Sequence, residues 1–233
     1  MSGTLYGVGL GPGDPELMTV RASRLISAAR VVAYPSLAGA ESFARSIAAA
    51  LIPGGAREIV MDIPMTTARE PAQTAYDRGA EEISTVLEGG VDVVCLCEGD
   101  PFFYGSFMYL FARLSERFAV EVVPGVTSMT ACAAVAGLPL AARTGGVSIV
   151  PGTLARESLA ARLAGGETVV LMKVGRHLEK IRAAVSEAGR EAGAVYVERA
   201  TLAEERVLPL AEAPEEAPYF SMIIVPGARD PWL

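Results

Sequence analysis

The residues best suited to chemistry follow a short apolar run near the middle of the chain. Val91 to Cys97 has the composition of a strand buried on both faces, and Glu98-Gly99-Asp100-Pro101 follows at its carboxyl end. In open α/β sheets, ligands bind outside the carboxyl ends of the strands. Gly99 allows the backbone to approach a ligand closely, and Asp100 supplies a fixed negative charge. The loop is equally consistent with a plain strand-to-helix connection, with Ser106 capping the next helix.

A glycine-rich loop follows the first predicted strand, Thr4–Leu10, and reads Gly9-Leu10-Gly11-Pro12-Gly13-Asp14-Pro15-Glu16. Its glycines lack the G-x-G-x-x-G spacing of a dinucleotide fold, which counts against a nicotinamide cofactor. Asp14 is predicted to cap one helix that has Pro15 at its first position and carries Leu17, Val20, Arg24, Leu25 and Ala28. Because the loop holds more glycine and proline than capping requires, close approach of a ligand is the favoured interpretation.

A third loop, Pro124-Gly125-Val126-Thr127-Ser128, follows the predicted strand Val120–Val123. Gly125 permits a sharp turn, and Thr127 and Ser128 offer hydroxyl and N–H groups at a helix start. These groups can hold the polar edge of a ligand, and a simple helix cap is an equal alternative.

Composition narrows the class of protein. Hydrophobic residues make up 51% of the 233 residues and charged residues 20%, which indicates a compact fold. A net charge of −7 argues against general nucleic-acid binding, so an anionic ligand would need a local basic patch. The beginning of the chain lacks a basic segment ahead of an apolar one, and the apolar segment at 129–142 is broken by Gly137 and Pro139. A cytoplasmic protein without signal peptide or membrane span is therefore expected.

Cysteine and histidine offer little chemistry. Cys95, Cys97 and Cys132 lack metal-ligand spacing, and Cys95 and Cys97 should share one buried strand face. His177 is the only histidine and is predicted to begin a surface helix. No metal site and no Ser-His-Asp triad is predicted.

Strands alternate with helices through the first half, which favours a mostly parallel sheet, whereas the last three strands lack intervening helices, which favours a mixed sheet. Two domains are predicted, 1–123 and 124–233. The remaining predicted strands are Val31–Tyr34, Glu58–Ile63, Val147–Val150, Thr168–Lys173, Ala194–Ala200, Arg206–Leu210 and Tyr219–Val225, and the predicted helices are Glu41–Leu51, Thr74–Leu87, Met129–Ala136, Leu159–Leu163 and His177–Ala188.

The three loops in this order resemble the tetrapyrrole methylases, which are S-adenosylmethionine-dependent enzymes of corrin and sirohaem synthesis. The resemblance covers nearly the whole chain, and within the family Cys97–Ser106 and Met61–Met65 resemble the branch that methylates precorrin-2 at C-20. The residues that carry it are Gly9–Asp14 with Thr19, Glu98–Tyr104 and Pro124–Ser128.

The resemblance implies a two-domain α/β fold, with a mostly parallel amino-terminal sheet, a mixed carboxyl-terminal sheet and the active site in the cleft between the domains. The amino-terminal domain would bind the tetrapyrrole, and the carboxyl-terminal domain would complete the S-adenosylmethionine pocket. It also implies a homodimer. The expected reaction converts precorrin-2 to precorrin-3A in cobalamin (vitamin B12) synthesis and releases S-adenosylhomocysteine.

Carried over by position, the resemblance also implies which residues contact the cofactor. Phe103 and Met172 would bury the adenine, although core packing is the simpler interpretation of Met172. Ala200 stands where relatives often have glycine. The full set is Pro12, Glu98, Gly99, Asp100, Phe103, Thr127, Ser128, Met172 and Ala200.

Methyl transfer mainly requires alignment of a carbon nucleophile with the sulfonium, so no strong catalytic residue is needed. Some relatives have an acid after the tyrosine that matches Tyr34, but Pro35 stands here, and no general base is named. The carboxylates of the substrate should meet cations, for which Arg21, Arg69, Arg113, Arg143 and Lys173 are candidates. The substrate contacts expected by position are Gly11, Gly13, Asp14, Tyr34, Tyr104 and Arg143.

Several alternatives stay open at this point. Close ones are the enzyme for the cobalt-bearing form of the same substrate, and diphthine synthase, whose substrate is a protein. More distant ones are a nicotinamide oxidoreductase and a ligand carrier without catalytic activity.

Overall fold

The computed structural model describes residues 2–37, 39–64 and 69–227. The chain divides into two compact units, one ending at Thr127 and the other beginning at Ser128. Within the described residues, every helix is too short or too polar to cross a bilayer.

Unit 1 contains a sheet of five strands in the order β3-β2-β4-β1-β5, and all neighbouring strands are parallel. Consecutive strands must therefore be joined by crossovers, which the helices provide. The strands are β1 (Thr4–Gly9), β2 (Val31–Leu37), β3 (Arg57–Ile63), β4 (Val93–Cys97) and β5 (Ala119–Val123), and the helices are α1 (Val20–Ser27), α2 (Phe43–Ala48), α3 (Arg69–Glu88) and α4 (Phe107–Leu114).

Strand β4 shows why this sheet is stable. Every residue of β4 is buried, and alternate side chains enter two hydrophobic clusters on opposite faces. Cys95 and Cys97 pack with side chains of α3 and α4, whereas Val94 and Leu96 pack with those of α1 and α2. The predicted shared face of the two cysteines is confirmed, and burial explains their apolar role.

Unit 2 contains a second sheet of five strands in the order β6-β7-β10-β8-β9. The first pair is parallel and the other three pairs are antiparallel, so the sheet is mixed. The predicted α/β class, with one parallel and one mixed sheet, is confirmed. The strands are β6 (Val147–Pro151), β7 (Thr168–Met172), β8 (Val195–Glu198), β9 (Arg206–Pro209) and β10 (Ser221–Val225), and the helices are α5 (Ser128–Val135), α6 (Arg156–Leu163) and α7 (Leu178–Glu187).

The helix predicted to start at Asp14 is divided in two. Asp14 caps only a single 3-10 turn, Pro15–Leu17, where its Oδ1 accepts a hydrogen bond from the Glu16 N–H at 2.8 Å. Thr19 then caps α1 separately, through a 3.1 Å hydrogen bond from the Ala22 N–H to Oγ1. The prediction of one continuous helix was wrong because it overlooked this second cap.

Strand β2 continues beyond its predicted end at Tyr34, through Pro35 to Leu37. The pairing of β2 with β4 involves only Val32 and Ala33, whereas the pairing with β3 extends along the whole strand. A proline is tolerated here because this part of β2 has a strand partner on one side only.

The start of the helix predicted at Thr74 also differs, as does the predicted cap at Ser106. Helix α3 begins at Arg69, five residues before the predicted Thr74, because Pro71 lies in its first turn, where a missing N–H costs nothing. Residues 65–68 of the predicted loop, including Met65, lie outside the described residues. Ser106 precedes α4 but makes no capping hydrogen bond, and its hydroxyl contacts Tyr76 and Cys97 instead.

Candidate functional site

Two of the predicted loops join directly at the carboxyl edge of the unit 1 sheet. Just beyond β1 and β4, the Gly11 N–H donates to the Gly99 carbonyl at 3.2 Å, and the Gly99 N–H donates to the Gly11 carbonyl at 2.8 Å. Both residues have positive φ, at +80° and +62°, a conformation that glycine adopts without penalty. The backbone of each loop therefore determines the position of the other.

The third loop packs against the same point through Gly125. A Cβ placed on Gly125 would lie 2.0 Å from the Gly99 carbonyl oxygen and 2.9 Å from the Gly9 Cα. A Cβ on Gly9 would likewise lie 2.6 Å from the Gly125 nitrogen. Glycine is required at both positions because neighbouring backbone occupies the space of a side chain. The structure thus brings the three predicted loops together within unit 1.

Asp100 holds two of these loops in place. Its Oδ1 accepts a hydrogen bond from the Phe102 N–H at 2.9 Å, and its Oδ2 accepts one from the Gly125 N–H at 3.0 Å. Charge-assisted hydrogen bonds of this kind are stronger than those between neutral groups. The carboxylate therefore links the loop after β4 to the loop after β5.

Glu98 is exposed, but its surroundings affect its ionisation. Desolvation by neighbouring protein atoms raises the pKa of the Glu98 carboxyl, and a hydrogen bond from the Ala44 backbone partly opposes that rise. Ala44 lies in the first turn of α2, so Glu98 connects its loop to that helix.

The other predicted unit 1 residues lie in or next to these loops. Gly11 and Gly13 are buried, and Pro12 and Thr127 are partly buried. The half-buried Phe103 meets the ring of Tyr104 edge-on at a centroid distance of 5.2 Å.

Tyr34 lies in the core, where its hydroxyl contacts a charged pair. It donates a hydrogen bond to Glu58 Oε2, and Arg45 binds both oxygens of Glu58, with Nε at 2.7 Å and one terminal nitrogen at 2.9 Å. Arg45, and then Tyr34, lower the pKa of Glu58 to about 2. Burial and the neighbouring Glu58 raise the pKa of Tyr34. The predicted substrate contact of Tyr34 is not tested by this arrangement.

The predicted substrate cations differ in their surroundings. Arg21 forms an ion pair with Glu121, and Arg113 forms one with Asp77 at 2.7 Å. Arg143 is exposed. The side chain of Arg69 lies outside the described residues.

In unit 2, Met172 and Ala200 belong to one hydrophobic cluster, which also includes Met129 and Cys132 from α5. Ser128 is the first residue of α5 and is partly buried. Met172 thus packs partly in the hydrophobic core of unit 2, which agrees with the simpler interpretation of this residue from the sequence.

The cysteines and the histidine are not activated by their surroundings. Burial raises the pKa of Cys97 to about 11 and that of Cys132 to about 12, which keeps both thiols protonated. Desolvation lowers the pKa of His177, which ends a 3-10 turn before α7. Among the described residues, no three potential ligands are grouped so that they could hold a metal ion.

A cavity of about 550 Å³ lies at the opposite edge of the unit 1 sheet, where β2 and β3 begin. Arg30, Arg57 and Thr85 are among its lining residues. None of the predicted site residues lines it, so it is separate from the three loops.

Sequence reasoning missed a backbone feature that five of the described residues share, although Tyr104, Arg143 and Lys173 were already candidates for substrate contact. Five residues other than glycine have φ between 50° and 69°, a region that side chains disfavour and that concentrates at functional sites. Residue type gives no signal for this conformation, because these positions are not Asn, Asp or Gly. They are Tyr104, Arg143, Lys173, Arg199 and Thr201.

Glycine-rich loops that meet at the carboxyl edge of a parallel sheet are typical of α/β proteins that bind a ligand at that edge. The chain belongs to the Tetrapyrrole (Corrin/Porphyrin) Methylases, whose family model matches residues 4–214. The predicted family and the predicted methyltransferase class are confirmed, which excludes the nicotinamide oxidoreductase and the inactive carrier.

Two relatives match almost end to end. The chain is 45% identical to a precorrin-2 C(20)-methyltransferase of Sinorhizobium sp, over 98% of this chain and 97% of the relative. It is 30% identical to a cobalt-precorrin-2 C(20)-methyltransferase of Salmonella typhimurium, over 97% of each chain.

Among solved structures, the chain is similar to the uroporphyrin-III C-methyl transferase of Thermus thermophilus in its complex with S-adenyl homocysteine. The TM-score is 0.66, the identity is 28%, and the match covers 96% of this chain and 92% of the other. The fold identified from the two sheets is thus one that a solved methyltransferase also has.

Proposed function

We propose that this chain transfers the methyl group of S-adenosylmethionine to C-20 of precorrin-2, producing precorrin-3A and S-adenosylhomocysteine in cobalamin biosynthesis. The observation that carries this proposal is the 45% identity to the Sinorhizobium enzyme over 98% of this chain. The match includes both units, so the proposal does not depend on the resemblance of one short motif.

The residues of unit 1 fit the proposed methyl donor. Where Gly11, Gly99 and Gly125 meet, the absence of side chains lets a nucleoside approach the backbone closely. Phe103 is half-buried beside them and offers an aromatic face. Pro12 and Thr127 complete the contacts that we assign to unit 1, and Ser128, Met172 and Ala200 are those that we assign to unit 2.

Asp100 and Glu98 contribute to the proposed cofactor site by holding its loops in position. Both oxygens of Asp100 already accept backbone hydrogen bonds, and Glu98 is bound to α2. We assign them to the cofactor site because they fix its loops, and Asp100 does so most directly.

When bound, S-adenosylmethionine would supply a methyl group on a sulfonium, and the sulfur would leave as the neutral thioether S-adenosylhomocysteine. The methyl carbon would bond to C-20 as its bond to sulfur breaks, and C-20 would lose its proton to water or a weak base. Alignment of the two carbons is worth about 7–11 kcal/mol in favourable cases, and this is what rigid loops contribute. Pro35 lies inside β2, so no acid follows Tyr34 to act as a general base.

A second candidate function is the same methylation on the cobalt-bearing substrate. It is supported by the 30% identity to the Salmonella typhimurium enzyme, which is lower than the identity to the Sinorhizobium enzyme. Metal-free precorrin-2 is therefore the preferred substrate in this proposal.

Single-turnover transfer from radiolabelled donor tests the proposal on three acceptors. These are precorrin-2, its cobalt complex and the protein substrate of diphthine synthase. Label should transfer fastest to precorrin-2. Faster transfer to the cobalt complex would favour the second candidate, and label on the protein alone would overturn both.

We also propose that the active form is a cytoplasmic homodimer. Light scattering on the purified protein should give twice the mass of one chain, and cell fractionation should place the protein in the cytosol. A monomer that remains fully active would contradict the dimer.

A further inference from the structure

Two cations lie at one edge of the unit 2 sheet, on either side of the start of β10. Lys173 directly follows β7, and two residues later the Gly175 N–H donates to Ser221 Oγ at 3.4 Å. Arg199 directly follows β8, and its N–H donates to the Phe220 carbonyl at 2.8 Å. Two strand spacings separate the two backbones, which is about 10 Å.

Both cations occupy a backbone conformation that disfavours side chains. The φ angle is 56° at Lys173 and 50° at Arg199. Glycine adopts this conformation freely, so a glycine at either position would relax the backbone. The Met172 carbonyl accepts a hydrogen bond from the Gly152 N–H at 2.7 Å, and the Arg199 carbonyl accepts one from the Leu202 N–H at 3.0 Å, so the backbone beside each cation is held in place. The cationic side chains thus occupy positions where the fold itself favours glycine.

The acid next to Arg199 in sequence is bound elsewhere. Glu198 is only 5% exposed, and its Oε1 accepts a hydrogen bond from Arg206 at 3.1 Å. Its Oε2 accepts one from the Tyr196 hydroxyl. Glu198 is therefore already compensated by other groups. Glu205 also lies near this edge, where its Oε2 accepts a hydrogen bond from the Thr201 N–H at 2.6 Å. Lys173 and Arg199 place two positive charges at this edge of a chain whose net charge is −7.

An aromatic pair lies between the two cations in the strand order. Tyr219 is 75% exposed and Phe220 is 38% exposed, and their rings meet edge-on at a centroid distance of 5.1 Å. Exposed aromatic residues next to cations suit a ligand with apolar rings and anionic substituents.

We propose that Lys173 and Arg199, with Tyr219 and Phe220 between them, bind carboxylates and pyrrole rings of the tetrapyrrole substrate. This inference rests on the proposed function and names the substrate contacts that unit 2 provides. Met172 directly precedes Lys173, and Ala200 directly follows Arg199. Both are residues that we assign to the methyl donor.

Titration with uroporphyrin III tests this inference without turnover. This stable porphyrin carries carboxylates around its ring, and its fluorescence reports binding to the protein. Lys173→Gly and Arg199→Gly should each weaken porphyrin binding about tenfold, the effect of losing one charge-assisted hydrogen bond. Melting temperatures should stay equal or rise because glycine relaxes the backbone. A residue with only a structural role would not combine weaker binding with equal or greater stability.

Three further measurements complete the test. Arg162→Gln, which removes an exposed cation from α6, should leave porphyrin affinity unchanged. Lys173→Gln and Arg199→Gln, which keep a side chain and remove only the charge, decide the result if a glycine variant unfolds. Affinity for S-adenosylhomocysteine should remain at the wild-type value in all variants.

The inference is overturned if porphyrin affinity changes less than twofold in the charge-removing variants. It is also overturned if only S-adenosylhomocysteine affinity falls, since the cations would then bind the carboxylate of the donor. Failure of the wild-type protein to methylate any tetrapyrrole would overturn the proposed function instead, and the porphyrin titration would separate the two failures.

Discussion

At the scale of single residues, Asp100 is the side chain on which the geometry of the loops depends most. It accepts hydrogen bonds from the N–H groups of Phe102 and Gly125. Asp100→Ala should lower the free energy of unfolding by about 1–3 kcal/mol, because two amides lose their acceptor. It should also weaken S-adenosylhomocysteine binding at least tenfold, because the loops after β4 and β5 come apart. Urea unfolding and calorimetric titration measure the two effects.

Asp92 provides a matched control for Asp100. Its Oδ1 accepts a hydrogen bond from the Thr4 N–H at 2.7 Å, at the opposite edge of the same sheet. Asp92→Ala should also reduce stability while S-adenosylhomocysteine affinity stays at the wild-type value. Wild-type affinity in Asp100→Ala would show that the loops do not need this carboxylate.

Glu58 determines how part of the stability of unit 1 depends on pH. Its pKa falls from an ordinary 4.5 to about 2 in the folded protein, because Arg45 and Tyr34 bind the charged form. A lowered folded pKa gives stability that is present above pH 4.5 and is lost as the pH falls toward 2. Glu58→Gln should therefore be less stable than the wild type at pH 7, and the difference should shrink across that window.

Urea unfolding at a series of pH values between 7 and 2.5 checks this prediction. Glu187→Gln is a useful comparison, since Glu187 pairs with Arg156 at the surface of unit 2 and both side chains are about half exposed. Its effect should be small at every pH. If the difference in free energy of unfolding between wild type and Glu58→Gln did not depend on pH, the proposed role of the Arg45 and Tyr34 contacts would be contradicted.

At the scale of elements, the contact between the loops after β1, β4 and β5 has no room for a side chain. A Cβ on Gly125 would lie 2.0 Å from the Gly99 carbonyl oxygen, which backbone movement must relieve. Gly125→Ala should therefore cost about 1–3 kcal/mol of stability and sharply reduce S-adenosylhomocysteine affinity. Thermal unfolding and calorimetry test both effects.

Gly54 is the matched control for this substitution, because a Cβ at that position meets no atom within 4 Å. Gly54→Ala should keep both wild-type stability and wild-type affinity. If Gly125→Ala behaved in the same way, the close packing of the three loops would not matter for binding.

The strands and loops of this chain were largely predictable, whereas caps and tertiary contacts were not. Apolar, β-branched runs and glycine-rich loops mark β1 and β4 because burial on both faces leaves few other residue types. The second cap at Thr19 was missed because Asp14 already satisfied the pattern for a helix start.

The candidate site shows the same limit of sequence reasoning. The loops that contain Gly9, Gly99 and Gly125 were predicted to bind a ligand. The contact between these loops depends on a strand order that the sequence does not reveal. The hydrogen bond that Asp100 accepts from Gly125, 25 residues further along the chain, was unpredictable for the same reason. The positive φ angles of Lys173 and Arg199 follow from the geometry of the unit 2 strand ends and not from residue type.

At the scale of the whole molecule, two units with different sheets serve one proposed reaction. Unit 1 presents the loops with close backbone contacts, and unit 2 presents the two cations and the aromatic pair. The net charge of −7 makes these local features necessary, because the chain as a whole repels an anionic tetrapyrrole.

The most direct test of the central claim is the position of the transferred methyl group. Incubation with precorrin-2 and S-adenosylmethionine labelled with carbon-13 in its methyl group, followed by NMR of the isolated product, identifies the carbon that is modified. The account predicts one labelled methyl group, bonded to C-20. A labelled methyl group on another ring carbon, or an unlabelled tetrapyrrole after complete incubation, would contradict it.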